Sequence, residues 1–600
     1  PNLTKEEEDF INGSCNEICK IMDDWKAWNE EDLSAEVWEK LKKDGYLGMI
    51  IPKKYGGRGF SALAHSAVIK KLSSRSVPLA VTAMVPNSLG PAELLIHYGT
   101  EEQKNYYLPR LARGDEIPCF ALTEPHAGSD AGSIQSHGVL FKKDGKLWIR
   151  LSWNKRYITL AAISTVLGLA FKLRDPENLL GKGEDIGITC ALVPTTTPGV
   201  ILGKRHNPLG CPFYNCPTEG TNVEVPIDVV VGGVTGCGMG WKMLMECLAA
   251  GRGISLPAQT TGGSFVGTTY VSAYCAIRKQ FGMNIGKFEG IMEPLSRIAG
   301  YSYMMEAARK YTLGALDSGI QPPVITAIMK YQITEMGRKL ITDGMDIVGG
   351  AGISRGPKNI LGHFWTATPI GITVEGANIL TRTLIVFGQG LMRAHPTVFN
   401  EVDSIEKGDS KKFDDAFWSH IGLVVQNSVR ACWLSLTRGR LVIPYRFDST
   451  FRYYQKLTWA SATFAVMSDI AMGTMGGKLK TSEMLTGRFA DILSNIYLGT
   501  AVLRRYEAEG RPKEQKPFVH WCMQTLLYQM QTSFNGIFTN FYVPIPGIGI
   551  PLGWLFRGPL KTWCNLNALH HENNDLNNQK IATLIQKPGK VRDMFKDGIY

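Results

Sequence analysis

Hydrophobic and polar positions change their rhythm four times along the chain. Residues 1–117 read as helices joined by turns. They hold an acidic helical start at Thr4-Lys5-Glu6-Glu7-Glu8, a turn at Tyr55-Gly56-Gly57, and a second helical start at Thr100-Glu101-Glu102-Gln103. Over 118–240 the pattern shortens to β-rich runs, Ile188 to Val193 and Val223 to Val225 among them, separated by Pro-Gly, Asp-Gly and Gly-Gly punctuation. Helical spacing returns over 241–395, with proline-free segments between Gly263 and Phe281 and between Ala327 and Val348. The charged, polar composition from Pro396 to Asp415 predicts an exposed connection into a further helical domain, 396–600. That domain shows helical stretches at 461–472 and 490–508, then an uncharged stretch from Gly536 to Phe556. Pro544, Pro546 and Pro551 forbid a regular spanning helix there.

At 600 residues the chain exceeds what one core organises, and 44% hydrophobic with 20% charged residues places it among soluble globular proteins. A net charge of +11 favours anionic partners without selecting one. Lys411-Lys412 is only a pair, and no basic stripe carries interleaved aromatics, so no nucleic-acid partner is expected. The twelve cysteines stand at irregular spacings, which fits a reducing compartment such as a bacterial cytoplasm. No paired CxxC occurs and His570-His571 reads as surface, so no metal is expected. Trp554 and Trp563 with Arg557 and Lys561 would suit a bilayer interface, so a peripheral membrane contact through 536–563, at an inner membrane, stands beside simple packing on the protein. The first residue is Pro1 rather than Met, which leaves any upstream targeting or anchor segment open.

Five strings carry candidate chemistry. Phe120-Ala121-Leu122-Thr123-Glu124-Pro125-His126-Ala127-Gly128-Ser129-Asp130 has the small residues and hydroxyls that let backbone approach a flat ring or a phosphate, yet by itself it equally describes a capped turn. Tyr157-Ile158-Thr159 is a strand segment. Arg278-Lys279-Gln280-Phe281-Gly282 offers a guanidinium fork suited to a diphosphate, and Gly349-Gly350-Ala351-Gly352 permits close backbone approach or merely ends a helix. Glu375, in Thr373-Val374-Glu375-Gly376-Ala377-Asn378, is a carboxylate among apolar neighbours.

In this order the strings resemble the acyl-CoA dehydrogenase family, and over the whole length its bacterial FadE-type members with a C-terminal extension. The resemblance implies a mainly α fold with a small β domain: an N-terminal helical domain, a middle β-barrel or sandwich, a C-terminal four-helix bundle, and an additional helical domain. It implies FAD held by Phe120, Leu122, Thr123, Gly128, Ser129, Tyr157, Ile158, Thr159, Arg278, Phe281, Gly349 and Gly350, the glycine turn acting across a subunit interface of a homodimer or larger assembly. Tyr157 stands where the family has tryptophan. Ser129, Arg252 and Gly376 would meet the substrate, and Glu375 would be the catalytic base. Some relatives carry the base on another helix, at the place of Gly251, where glycine has no side chain to act.

The implied reaction is α,β-dehydrogenation of medium- to long-chain fatty acyl-CoA to trans-2-enoyl-CoA, the first step of β-oxidation, with electrons passed to electron-transferring flavoprotein. An apolar pocket raises a carboxylate's pKa and makes it a better base near neutral pH. An acyl-CoA oxidase using O2 and a catalytically silent membrane-associated scaffold are the competing readings. Departures from the pattern stand at Thr366-Ala367, Ala377 and Glu289.

Overall fold

The computed structural model describes residues 2–88, 90–444, 446–541, 553–570 and 572–600. Both predicted helical starts are reciprocal caps. Thr4 accepts from the Glu7 N–H while Glu7 accepts from the Thr4 N–H, and Thr100 and Gln103 repeat the arrangement, closing two otherwise open donors at each first turn. They begin α1 (Lys5–Asn12) and α8 (Glu101–Arg113). Between them lie α2 (Ser14–Ile21), α3 (Asp24–Glu30), α4 (Ala35–Lys43), α5 (Ala62–Arg75), α6 (Val77–Ser88) and α7 (Pro91–Tyr98).

The β region forms one curled seven-stranded sheet. β1 (Pro118–Ala121) and β2 (His137–Lys143) both lie parallel to β4 (Val166–Arg174), β1 along its start and β2 along its end; β5 (Asp185–Pro194) pairs antiparallel with β4. β2 also pairs with β3 (Lys146–Ile158), and the sheet continues through β7 (Cys216–Pro226) to β6 (Val200–Leu202). Burial alternates along the middle of β3, with Ile149, Leu151 and Trp153 inward, so its register is fixed by which face meets the core.

The bundle is built from α9 (Gly240–Ile277), α10 (Glu289–Asp317), α11 (Pro323–Val348) and α12 (Gly350–Ile353), with α13 (Ile360–Thr373), α14 (Asn378–Leu380), a π-helical run Thr381–Gln389 and α15 (Gly390–Ala394). A short hairpin of β8 (Lys279–Gln280) and β9 (Met283–Asn284) follows α9. The expected exposed connection at 396–415 is instead helical: α16 (Val398–Lys407) and the start of α17 (Ser410–Leu436). Asp409 caps α17 by accepting from the Lys412 N–H, so the polar residues there are caps and solvent-facing turns. The chain continues through α18 (Phe451–Met475), α19 (Glu483–Ala508), α20 (Lys516–Asn540), α21 (Lys561–Leu566), α22 (Asp575–Gln586) and α23 (Lys590–Asp593). All three prolines at 544–551 lie outside the described residues.

Among the described residues two large hydrophobic cores and a smaller one hold the elements together. The N-terminal helices share theirs with the sheet, and the bundle shares its own with α18 to α22. The last residues strap the assembly: Phe595 packs edge-on against Phe265 of α9, and Lys70 of α5 donates to the Asp597 carbonyl.

Candidate active site

Glu375 sits on a tight turn between α13 and α14. Its φ of 57° and the 97° of Gly376 are both left-handed. Glycine adopts that conformation freely, whereas a glutamate there is held by its surroundings. Lys330 of α11 does the holding. Its ammonium donates to the carbonyls of Ile372 (3.2 Å) and Gly376 (2.6 Å) and to Asn378 Oδ1 (2.7 Å). Thr381 Oγ1 adds a bond to the Gly376 carbonyl at 3.1 Å, and Asn378 donates to Glu335 at 2.9 Å. A lysine has three N–H donors, and here each has an acceptor on the turn.

That leaves the Glu375 carboxylate without a direct partner. The residue as a whole is half-buried, but both carboxylate oxygens are closed off from solvent and unbonded within the protein. Burial raises its pKa to about 7; the positive charges of Arg252 and Lys330 pull the other way without cancelling it. Arg252, on α9, borders the turn: a Cβ placed on Gly376 would lie 3.7 Å from its Nη2. Burial lowers the Arg252 pKa, with Glu375 opposing, and its buried Nε is also unbonded. The backbone N–H of Glu375 has no acceptor among the described residues. The site therefore offers a desolvated acid titrating near neutrality beside a cation and a free donor.

A second cluster forms where the first string leaves β1. Arg156 N–H donates to the Thr123 carbonyl at 3.0 Å, its guanidinium to the Pro125 carbonyl at 3.0 Å, and Lys155 Nζ to the Leu122 carbonyl at 3.0 Å. These bonds bring Phe120, Leu122 and Thr123 against the end of β3, with Tyr157, Ile158 and Thr159 next along it. Beneath, Lys155 and Glu124 form a buried ion pair at 2.7 Å, and Glu124 also accepts from Ser136 and Gln135. The surface above is open. Gly128 and Ser129 are exposed, a Cβ on Gly128 would meet nothing within 4 Å, and Tyr157 is 56% exposed with a left-handed φ of 61°. Its ring packs 5.0 Å from that of His206, whose Nε2 accepts the Tyr157 N–H. Ile158 turns into the core.

The remaining predicted residues lie elsewhere. Arg278 and Phe281 ride on the β8–β9 hairpin, where Phe281 is 92% exposed, and Gly349-Gly350 form an exposed turn after α11. A 3.4 Å bond from Tyr274 OH to the Val348 carbonyl ties the two ends together, so hairpin and glycine turn share one end of the bundle. A cavity of ≈ 460 Å³ opens there, lined by Trp25, Trp28, Asp346, Gly352, His363 and Thr366; Glu375 does not line it.

Sequence reasoning did not find Lys330, Lys155 or Glu124. A lysine inside the run Ile328-Met329-Lys330-Tyr331 carried a usable signal, because a cation on a helix face otherwise apolar has to find buried acceptors.

Four family descriptions match the chain in order: "Acyl-CoA dehydrogenase, N-terminal domain" over residues 7–115, "middle domain" over 119–223, "C-terminal domain" over 238–387, and "C-terminal, bacterial type" over 392–600. A Bacillus subtilis (strain 168) protein named acyl-CoA dehydrogenase is 32% identical over 328 residues, 54% of this chain and 81% of that one. The Bos taurus mitochondrial short/branched chain specific acyl-CoA dehydrogenase is 31% identical over 365 residues, 60% of this chain and 79% of that one. Among solved structures, a Bacillus anthracis acyl-CoA dehydrogenase complexed with FAD matches with a TM-score of 0.79, covering 98% of this chain and 95% of that one. At 20% identity that likeness speaks for the fold.

Proposed function

The chain belongs to the acyl-CoA dehydrogenase family, and from that premise we propose that it is a FAD-dependent enzyme converting medium- to long-chain acyl-CoA to trans-2-enoyl-CoA with Glu375 as the base. The observation that carries the reading is the buried, unbonded carboxylate titrating near 7. Its charged form is poorly solvated, so accepting a proton relieves it, and a base poised near the working pH is the effective one for a weak carbon acid.

Residues present fit the cofactor. The open surface over Thr123, Gly128, Ser129 and Tyr157 has room and donors for a flat ring, and Arg278 with the Gly349-Gly350 turn would take the diphosphate. FAD, when bound, supplies the acceptor for the β-hydrogen as hydride, chemistry no side chain provides. The protein's own part is to hold and polarise the thioester. The free N–H of Glu375 would donate to its carbonyl oxygen, where charge develops as the α-proton leaves for the carboxylate. Arg252 keeps a positive charge beside the turn and so limits how far burial raises the Glu375 pKa.

An exposed Phe281 hairpin beside an exposed glycine turn supports assembly as at least a dimer. Electron-transferring flavoprotein as acceptor, and the chain-length range, rest on likeness to the bacterial type with its C-terminal extension. Exposure of both Trp554 and Trp563 supports a peripheral membrane contact through 536–563, of which 542–552 lie outside the described residues. Anaerobic mixing with acyl-CoAs of increasing length tests reaction and preference together: flavin bleaching strongest at medium and long chains is expected, and bleaching confined to short chains overturns the range. Peroxide release in air at the turnover rate would make it an oxidase.

A further inference from the structure

Where the bundle leads into the C-terminal helices, four elements converge on a second group of titratable side chains. His395 follows the last residue of α15, Glu401 lies on α16, His420 on α17 and Asp469 on α18. His395 Nε2 is 3.1 Å from Asp469 Oδ1, and His420 Nε2 is 4.0 Å from the same oxygen. The two imidazole rings stand 4.7 Å apart. One ligand atom from each of His395, His420 and Asp469 falls within 4.8 Å of the others. The side chains of His395 and Asp469 are more than nine-tenths buried, and Asp469 Oδ2 is a buried oxygen with no hydrogen-bond partner.

The hydrogen bonds around this group leave room for a cation between His420 and Asp469. Glu401 Oε1 lies 2.8 Å from His420 Nδ1, and a carboxylate only accepts, so the ring proton sits on Nδ1. In the neutral ring the lone pair of Nε2 then faces the Asp469 carboxylate, two acceptors across a gap. This is also how a carboxylate orients a metal-binding histidine. His395 Nδ1 lies 3.3 Å from Thr397 Oγ1, which is able to accept the proton that ligation through Nε2 places there; the N–H groups of Thr397 and Val398, also at 3.3 Å, favour the other tautomer when no cation is bound.

A second, independent observation concerns what holds these helices. Of the 27 residues of α17 only Ala416 and Leu434 are buried, and in α16 only Ser404. Apolar burial therefore anchors this hairpin weakly, whereas α19, on α18, buries most of one face.

We propose that His395, His420 and Asp469 bind one divalent transition-metal ion of the zinc class, with Glu401 orienting His420, and that the ion pins the α16–α17 hairpin to α15 and α18. Two imidazoles and a carboxylate are a donor set that zinc and its neighbours accept. Bonds of about 2.0–2.2 Å place ligand atoms roughly 3.3–4.2 Å apart, so a small ring rotation closes the site. The site stands apart from Glu375 and takes no part in proton removal.

The test uses the full-length flavin-loaded protein, treated with a chelator and titrated with zinc and, separately, cobalt(II). Wild type is expected to take up one zinc per chain, to gain thermal stability on doing so, and to give cobalt visible absorption of a low-coordinate nitrogen and oxygen site. His420→Gln and Asp469→Asn, checked for folding by circular dichroism, are expected to lose uptake and absorption, and Glu401→Gln to weaken zinc roughly 10–100-fold. Flavin bleaching by acyl-CoA stays unchanged in all three. Wild type that binds zinc no more tightly than Asp469→Asn, or whose cobalt spectrum survives both ligand substitutions, overturns the proposal.

Discussion

Glu306 and Glu375 are both carboxylates enclosed in the same bundle, and they titrate in opposite directions. Burial penalises the charged form of each. At Glu306 the penalty is outweighed: Arg309 donates to both carboxylate oxygens at 2.8 and 2.9 Å, Lys70 stands at 3.3 Å, and the pKa falls well below the usual range. At Glu375 the cations are present but not in contact. The Lys330 donors are committed to the turn, and no Arg252 nitrogen lies within ion-pair distance. Cations in contact with the carboxylate, with the Arg309 hydrogen bonds added, decide the sign; cations held off from it do not. One glutamate is thereby a structural anion, and the other has the pKa of the base we propose.

The comparison is broken most severely at its functional member. Glu375→Gln keeps shape and loses the acceptor, so acyl-CoA turnover should fall by about 10²–10⁴-fold or more while the protein stays folded and yellow, as stopped-flow bleaching with a flavin spectrum would show. Glu306→Gln should leave bleaching per bound flavin intact but lower stability by about 3–5 kcal/mol, since Arg309 and Lys70 lose their buried counter-charge; chemical denaturation measures this.

The two should also tilt stability oppositely with pH. The depressed Glu306 contributes stability present above its unfolded pKa and lost as pH falls through its folded one. The raised Glu375 contributes stability present below its unfolded pKa of 4.5 and lost as pH rises through about 7. Between pH 5 and 8 wild type should therefore lose on the order of 3 kcal/mol relative to Glu375→Gln, read from paired denaturation curves. The smallest expected effect is at Lys330. Lys330→Met removes one of the charges restraining the Glu375 pKa and frees the turn, so the pH profile of bleaching should move upward; a rise of about one unit lowers the rate at pH 7 about fivefold.

The parts written locally were legible in the chain. Caps at Thr4 and Thr100 need only four consecutive residues, and the strings around Thr123 and Glu375 are contiguous. What the sequence hid depends on contacts between distant segments. The apolar run around Lys330 says only that its ammonium needs buried acceptors; which three it finds is settled when α13 and α14 fold back. Residues 396–415 look like a linker because solvent-facing helices and linkers share a polar composition. Pro257 argues against a helix that nevertheless runs from Gly240 to Ile277, where burial of Leu256 and Ala258 outweighs the hydrogen bond that proline cannot make. His395, His420 and Asp469 are too far apart in the chain to form a spacing motif, and only the packing of α15, α17 and α18 brings them together.

The pH dependence of kcat/KM for anaerobic flavin bleaching reports the protonation of the free enzyme's base. For wild type the value should rise with pH and level off through an apparent pKa near 7, the titration of a desolvated Glu375. A profile that is already flat from pH 5 upward would mean that this carboxylate is ionised and solvated like any surface glutamate, and would contradict the account.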